Sequence, residues 1–477
     1  MKFDRLNLNR RNMLKAATAF GVTSVFGLTA CNKHETPYSP RTLKGAVDKN
    51  GNEVIPWTNW SENQFSTPNE LLVPQSTDEL TSMIKNTKQH IRLVGSGHSF
   101  SALVPTNESL MSLAYFYGIS KIDKETKQFD VASNTILASV GEVLWQNGLS
   151  LQNMPDINVQ TFGGSIATST HGTGINYGSM SSTVKNMVFI NGLGEEISCS
   201  KDNNSEIFNA ARTNLGTLGA VTSLRIQAED KYYLKETSWM MDLEEGLAKT
   251  EQLRDEHRHF ELYALPHADY ILGITLDKIE QKDLLKNTAN TTDAYETFKT
   301  MSKVIDTLPY LRSFILNTGA STVEKEERTG RNYEVFGNIR DIRFNEMEYS
   351  IPAEHGVACL REILATIKRL DIDVIFPMEY RYIKADDIWL SPFYQRDSCA
   401  ISCHNFHDKD YKKYFAAIEP IFWKYDGRPH WGKIHTLTAK EQRARYPMFA
   451  QFLKIRKEMD PKNIFTNEHI NIVLGLS

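Results

Sequence analysis

Four glycines and six hydroxyl side chains surround one histidine in Thr161-Phe-Gly-Gly-Ser-Ile-Ala-Thr-Ser-Thr-His-Gly-Thr-Gly174, leaving little apolar material for an ordinary core element. Glycine lacks a Cβ, so such a stretch can lay backbone N–H groups against phosphate oxygens, with Ser and Thr hydroxyls adding short donors. The composition predicts a loop that cradles a dinucleotide pyrophosphate. Neither G-x-G-x-x-G at a strand-to-helix turn nor G-x-x-x-x-G-K-[ST] occurs in the chain. A second glycine loop, Arg92-Leu-Val-Gly-Ser-Gly-His-Ser-Phe-Ser101, supplies the missing context.

Three further groups carry polar chemistry. Glu379-Tyr-Arg381 lies in a β-branched and aromatic stretch, 374–383, where period-two geometry puts Glu379 and Arg381 on one face. A carboxylate beside a guanidinium can accept from one hydroxyl of a polyol while the guanidinium donates to its neighbour. Residues 400–406 alternate in the same way, so Ser402, His404 and Phe406 share a face. In His430-Trp-Gly-Lys433 a glycine beside the lysine gives its ammonium room to reach a bound group and stabilise developing negative charge. Cys399-x-x-x-Cys403-His404 has no second ligand pair at zinc-like spacing, so no metal is expected.

The elements that must hold these groups follow from spacing and caps. Ser76-Thr-Asp-Glu79 starts a helix with Leu80, Met83 and Ile84 on one side, and Ile91, Leu93 and Val94 form a short buried strand running into the first glycine loop. A second helix is expected over 136–146, closed by Gly148, with strands over 184–191 and 220–227. Long charged helical stretches at 242–257 and 354–370 then alternate with apolar, aromatic strand candidates. A second α+β domain is expected there. The weakly polar 287–292 reads as a solvated loop, and no internal repeat is present.

Taken in order, the two glycine loops resemble the FAD-binding domain of the vanillyl-alcohol oxidase superfamily. Trp57-Thr-Asn-Trp60, Asn214-Leu-Gly-Thr-Leu-Gly-Ala-Val-Thr222, the E-x-R and H-W-G-K motifs and Asp460-Pro-Lys-Asn-Ile-Phe465 narrow the similarity to the sugar-1,4-lactone oxidases and alditol oxidase. The resemblance implies an α+β fold: an FAD-binding domain of two subdomains at 56–235, a substrate cap at 236–425, and a C-terminal segment, 426–477, returning to the flavin side.

It also implies roles. Gly95, Ser96, Gly97, His98 and Ser99 would hold FAD, with His98 its covalent attachment point. Gly163, Gly164, Ser165, Thr168, Thr170, His171, Gly172 and Gly174 would hold the pyrophosphate and part of the ring, His171 as a hydrogen-bonding residue. Gly216, Gly219 and Val221 would meet the adenosine part. Ser165, Glu379, Arg381 and Lys433 would contact substrate. His404 falls near the expected base, with His407 or a purely structural histidine as alternatives, and His435 as an outer support. The implied reaction is oxidation of an alcohol group of an aldono-1,4-lactone or a polyol by hydride transfer to flavin, with oxygen or another acceptor taking the electrons.

Composition bounds the partners. The 477 residues are 41% hydrophobic and 23% charged with a net charge of −4, so nothing points to nucleic acid or an anionic membrane surface. Arg10-Arg-Asn-Met-Leu-Lys15 precedes an uncharged stretch, 16–30, too short to span a bilayer. This matches a twin-arginine export signal over 1–31, and Leu28-Thr-Ala-Cys31 resembles a lipobox with Cys31 as the lipidated residue. Residues 32–55 read as a polar tether. The expected location is the outer side of a bacterial membrane, with membrane contact through the lipid alone. Of the other cysteines, a Cys399–Cys403 bridge is disfavoured if both lie in one strand.

Overall fold

The computed structural model describes residues 56–285, 293–337 and 342–476. The signal, Cys31, the tether and the 287–292 stretch lie outside the described residues. The fold is α+β, and its described part contains three principal sheets.

The first sheet is parallel, with strands Glu70–Leu72, Ser109–Ser112 and Ile91–Val94 side by side in that order. Helix Thr77–Asn86 makes the crossover, and Ser76 caps it by accepting the Glu79 N–H. Leu80 and Ile84 bury its inner face against Ile91 and Met111. The Ile91–Val94 strand ends where Gly95 opens the first glycine loop. The second sheet is antiparallel, ordered Glu196–Ser200, Val184–Asn191, Gly219–Gln227, Gln128–Ala132 and Ile119–Asp123. Helix Leu137–Gln146 packs into the same core, which also takes Phe449 and Phe452 from the penultimate described helix, Phe449–Met459.

The third sheet has eight strands, Glu326–Arg331, Tyr233–Asp242, Tyr270–Ile279, His259–Ala264, Met378–Ile383, Ser398–Phe406, Phe344–Pro352 and Arg428–Pro429, all antiparallel to their neighbours. Period-two alternation divides its central strands. Met347, Tyr349, Tyr380, Tyr382, Cys399, Ile401 and Cys403 face an apolar core beneath helices Gly356–Arg369 and Lys412–Lys424. Phe344, Glu346, Glu348, Glu379, Arg381 and His404 face the other way, into a cavity. Cys399 and Cys403 lie in one strand and are unbridged, as are Cys199 and Cys359.

Two local expectations change. The strand expected from residue 374 begins at Met378, because Pro377 has no N–H to give a ladder. The second glycine stretch is not wholly a loop. Thr161 caps a short helix, Phe162–Ala167, by accepting the Gly164 N–H, and Phe162 and Ile166 anchor it in the core.

Candidate active site

One cavity of about 190 Å³ runs from the first glycine loop to the polar face of the eight-stranded sheet. Gly95, Ser96, Gly97, His98, Ser99, Gly163, Gly164, Thr168, Thr170, His171, Gly216, Gly219 and Val221 line it, together with Glu379, Arg381, His404 and Lys433. Residues more than three hundred positions apart thus meet as the sequence predicted.

At the glycine end, the backbone N–H groups of Ser96, Gly97, His98 and Ser99 donate to nothing among the described residues. Gly97 takes φ +68°, which turns the chain so that successive N–H groups can converge. This row of unspent donors fits a pyrophosphate. In the second stretch the Gly163 N–H is already given to the Ser133 carbonyl and that of Gly164 to Thr161. Those two N–H groups are therefore spent within the protein, while Gly163, Gly164, Thr168, Thr170 and His171 still line the cavity.

Three expected contacts fall outside the cavity. Ser165 is fully buried and its hydroxyl donates to the Phe162 carbonyl 2.9 Å away, so the predicted substrate contact is corrected. Its helical position turns the side chain back into the fold. A Cβ at Gly172 would strike Met154 and Asn153, and one at Gly174 would strike Tyr177 and Arg258. Gly174 donates its N–H to the Tyr382 carbonyl. These two glycines let the loop press against its neighbours rather than against a ligand.

His98 stacks on Trp60 with ring centroids 5.2 Å apart, and its buried Nδ1 has no partner. Burial, helped by the Lys433 ammonium, pushes its pKa down to about 4, so the ring is neutral with a lone pair available. The free donors and the orphaned nitrogen fit an FAD attached or held at this loop.

At the sheet end, buried charges are tied together. Glu348 receives His171 Nε2 at 2.9 Å on one oxygen, and Arg381 Nη2 at 2.9 Å and the Ser402 hydroxyl on the other. Burial alone would push the Glu348 carboxyl up, but His171 and Arg381 hold it well below the usual carboxylate range. Arg381 Nη2 also lies 3.2 Å from Glu379, which accepts from the Tyr263 hydroxyl at 3.1 Å. Its buried Nε has no partner and is a donor in reserve. Glu346 holds Lys433 Nζ at 2.5 Å and stands 3.5 Å from His404 Nε2. Burial opposes ionisation of Glu346, and Lys433 and His404 outweigh it.

His404 Nδ1 lies 2.9 Å from the Pro377 carbonyl. A carbonyl only accepts, so Nδ1 carries a proton and Nε2 is the nitrogen that can take another. His407 is exposed and outside the cavity. His435 also lies outside it, with both ring nitrogens buried and unpartnered.

His171, Glu348 and His430 bring ligand atoms within 4.8 Å of one another. Glu348 already compensates Arg381, a role a divalent ion would disrupt, so the trio reads as a proton and charge network. Sequence reasoning missed Glu346, Glu348 and His430 as members. Two glutamates two positions apart in the otherwise uncharged 344–352 segment were the available signal.

The D-arabinono-1,4-lactone oxidase family profile matches residues 224–473, more than half of the chain. The chain belongs to this family. An FAD-binding domain profile matches residues 68–200, so the cofactor is FAD and the protein is an FAD-dependent oxidoreductase. Among relatives, the L-gulono-1,4-lactone dehydrogenase of Mycobacterium tuberculosis is 30% identical over 430 residues, covering 88% of this chain and 99% of that protein. The L-gulonolactone oxidase of Mus musculus is 28% identical over 437 residues, 89% of this chain and 99% of its own. The alditol oxidase of a Streptomyces species is 25% identical over 433 residues, 87% and 98% respectively. The fold is also that of cholesterol oxidase from B. sterolicum, with a TM-score of 0.73 at 14% identity over 88% of this chain and 97% of that one.

Proposed function

We propose that the protein oxidises a hydroxyl of an aldono-1,4-lactone, of the L-gulono or D-arabinono type, with FAD linked covalently through His98. The observation that carries this reading is the single cavity joining the free-donor loop to a buried Glu379/Arg381 and Lys433/His404 face. FAD supplies the electron sink that accepts hydride and passes electrons to oxygen or another acceptor. The protein supplies binding, proton transfer and charge. Arg381, braced by Glu348 and Glu379, presents a planar donor to neighbouring substrate oxygens. His404 Nε2 accepts the hydroxyl proton, and Glu346 beside it compensates the imidazolium that results. Lys433 donates to oxygen as negative charge builds.

The relatives' activities on L-gulono-1,4-lactone and the family profile support the lactone; the alditol oxidase supports a polyol as the second reading. Export by a twin-arginine signal and anchoring at Cys31 belong to the same proposal, resting on the sequence pattern. Among the described residues no helix is long and apolar enough to cross a membrane. Anaerobic spectra with L-gulono-1,4-lactone and with xylitol test the substrate. Bleaching of the flavin band by the lactone is expected; bleaching by xylitol alone would replace the lactone reading.

A further inference from the structure

The His430–Lys433 segment is a turn closed by the Lys433 N–H donating to the His430 carbonyl at 2.9 Å, which sets residues i and i+3 side by side. The turn is pinned at each position. His430 N–H donates to the Glu348 carbonyl, and the buried Trp431 ring donates to the Leu390 carbonyl at 2.7 Å. The Gly432 carbonyl accepts from Phe100 N–H, and a Cβ on Gly432 would crowd the Ser99 hydroxyl and the His430 ring. Both flanking side chains line the cavity.

The tautomer of His430 follows from the same turn. Its Nδ1 accepts the Gly432 N–H at 3.0 Å, so in the neutral ring the single proton sits on Nε2. Nothing among the described residues accepts from that Nε2. The groups around the ring are Glu348 and Glu346 from the neighbouring strand, His171 from the glycine-rich stretch, and Lys433 from its own turn. Burial, aided by Lys433 and His171 and opposed by the two glutamates, pushes its pKa down to about 3, so it is uncharged at working pH.

We propose that His430 is a further catalytic residue, a fixed neutral Nε2–H donor that shares with Lys433 the substrate oxygen on which negative charge develops. It gives up no proton. The proton leaves on His404, and His430 contributes a hydrogen bond that shortens as the oxygen gains charge. Such a donor acts without bringing a second cation beside Lys433. This assignment rests on the lactone-oxidation reading.

The test uses the flavin-loaded full protein, mixed anaerobically with L-gulono-1,4-lactone. H430A is expected to slow flavin reduction by about 10²-fold with half-saturation changed by less than about threefold, the pattern of an interaction made in the transition state. H430Q, whose amide N–H can replace Nε2–H, is expected to recover to within about tenfold of wild type. Wild-type bleaching with unchanged H430A rates, or H430Q as slow as H430A at equal flavin content, overturns the assignment alone. Absence of bleaching in wild type overturns the lactone reading and the assignment with it. A readout independent of turnover is the ¹⁵N spectrum of histidine-labelled protein, with the His430 signal identified by its loss in H430Q. A constant Nε2–H tautomer across about pH 5–8 is expected, whereas titration in that range or an Nδ1–H tautomer would refute it.

Discussion

Glu348 is the buried charge on which the sheet end of the cavity depends, and Glu348→Gln isolates its contribution. The carboxylate accepts from Arg381, His171 and Ser402, with its own side chain 1% exposed and that of Arg381 8% exposed. Hydrogen bonds to charged groups contribute about 1.5–3 kcal/mol each. The amide keeps one acceptor oxygen but turns an NH₂ toward a donor, leaving Arg381 with Glu379 as its remaining carboxylate in this network. Removing one partner of such a buried set costs about 3–5 kcal/mol, roughly a fifth or more of the stability of an ordinary domain of about 5–15 kcal/mol. The pH dependence gives a sharper expectation. The folded pKa of Glu348 lies below its ordinary 4.5, so its contribution is complete above that pH and falls as pH drops toward the folded value. The loss is about 1.4 kcal/mol per pH unit. E348Q lacks this titration, while the other carboxylates are common to both proteins. Urea unfolding followed by circular dichroism should therefore show a gap of about 3–5 kcal/mol near pH 7 that narrows by about 1.4 kcal/mol near pH 3.5. A gap under about 1 kcal/mol, or one that widens in acid, would show that Glu348 does not carry this charge network.

Four other outcomes are expected. His98→Ala should release its flavin into the supernatant on acid precipitation; retention in the pellet would show attachment elsewhere. Gly95→Ala places a Cβ into the Thr161 side chain that caps the 162–167 helix, so purified protein should carry much less flavin, and full occupancy would contradict a role for this loop in holding FAD. Lys433→Met should lower kcat by about 10²-fold and also cost about 3–5 kcal/mol of stability, because buried Glu346 loses the ammonium that compensates it. Equal turnover would remove Lys433 from the chemistry. Cys31→Ser should move the protein from the membrane pellet to the soluble fraction, and continued sedimentation with membranes would argue against a lipid anchor at that residue.

Local rules made much of the fold legible. Ser76 and Asp242 cap the helices their sequence contexts predicted, and Gly148, at φ +82°, follows the helix it was expected to close. Period-two alternation put Glu379 with Arg381 on one strand face and His404 with Ser402 and Phe406 on another, and Glu379, Arg381 and His404 all line the cavity, whereas Phe406 packs against the apolar core. What stayed hidden required register. Glu348 faces Ser402 and Glu346 faces His404 because the Phe344–Pro352 and Ser398–Phe406 strands pair residue by residue. Nothing local encodes that pairing. Ser165 shows the complementary limit: its glycine-rich neighbourhood read as loop, yet Thr161 supplied a cap and buried Phe162 and Ile166 drew the segment into a helix. The hydroxyl then turned inward. Two donors that composition alone made look free are spent for a related reason, the Gly163 N–H on the Ser133 carbonyl and the Gly164 N–H on Thr161.

If the glycine-loop cavity and the Arg381 face are one active site, single-turnover flavin reduction must depend on Arg381. Wild type and Arg381→Ala, matched for flavin content, are mixed anaerobically with L-gulono-1,4-lactone and followed at the flavin band. Rapid bleaching is expected in wild type, with a rate at least about 10²-fold lower in the variant. Equal rates in the two proteins would contradict a single active site, because the substrate would then be oxidised without the buried charges that define this site.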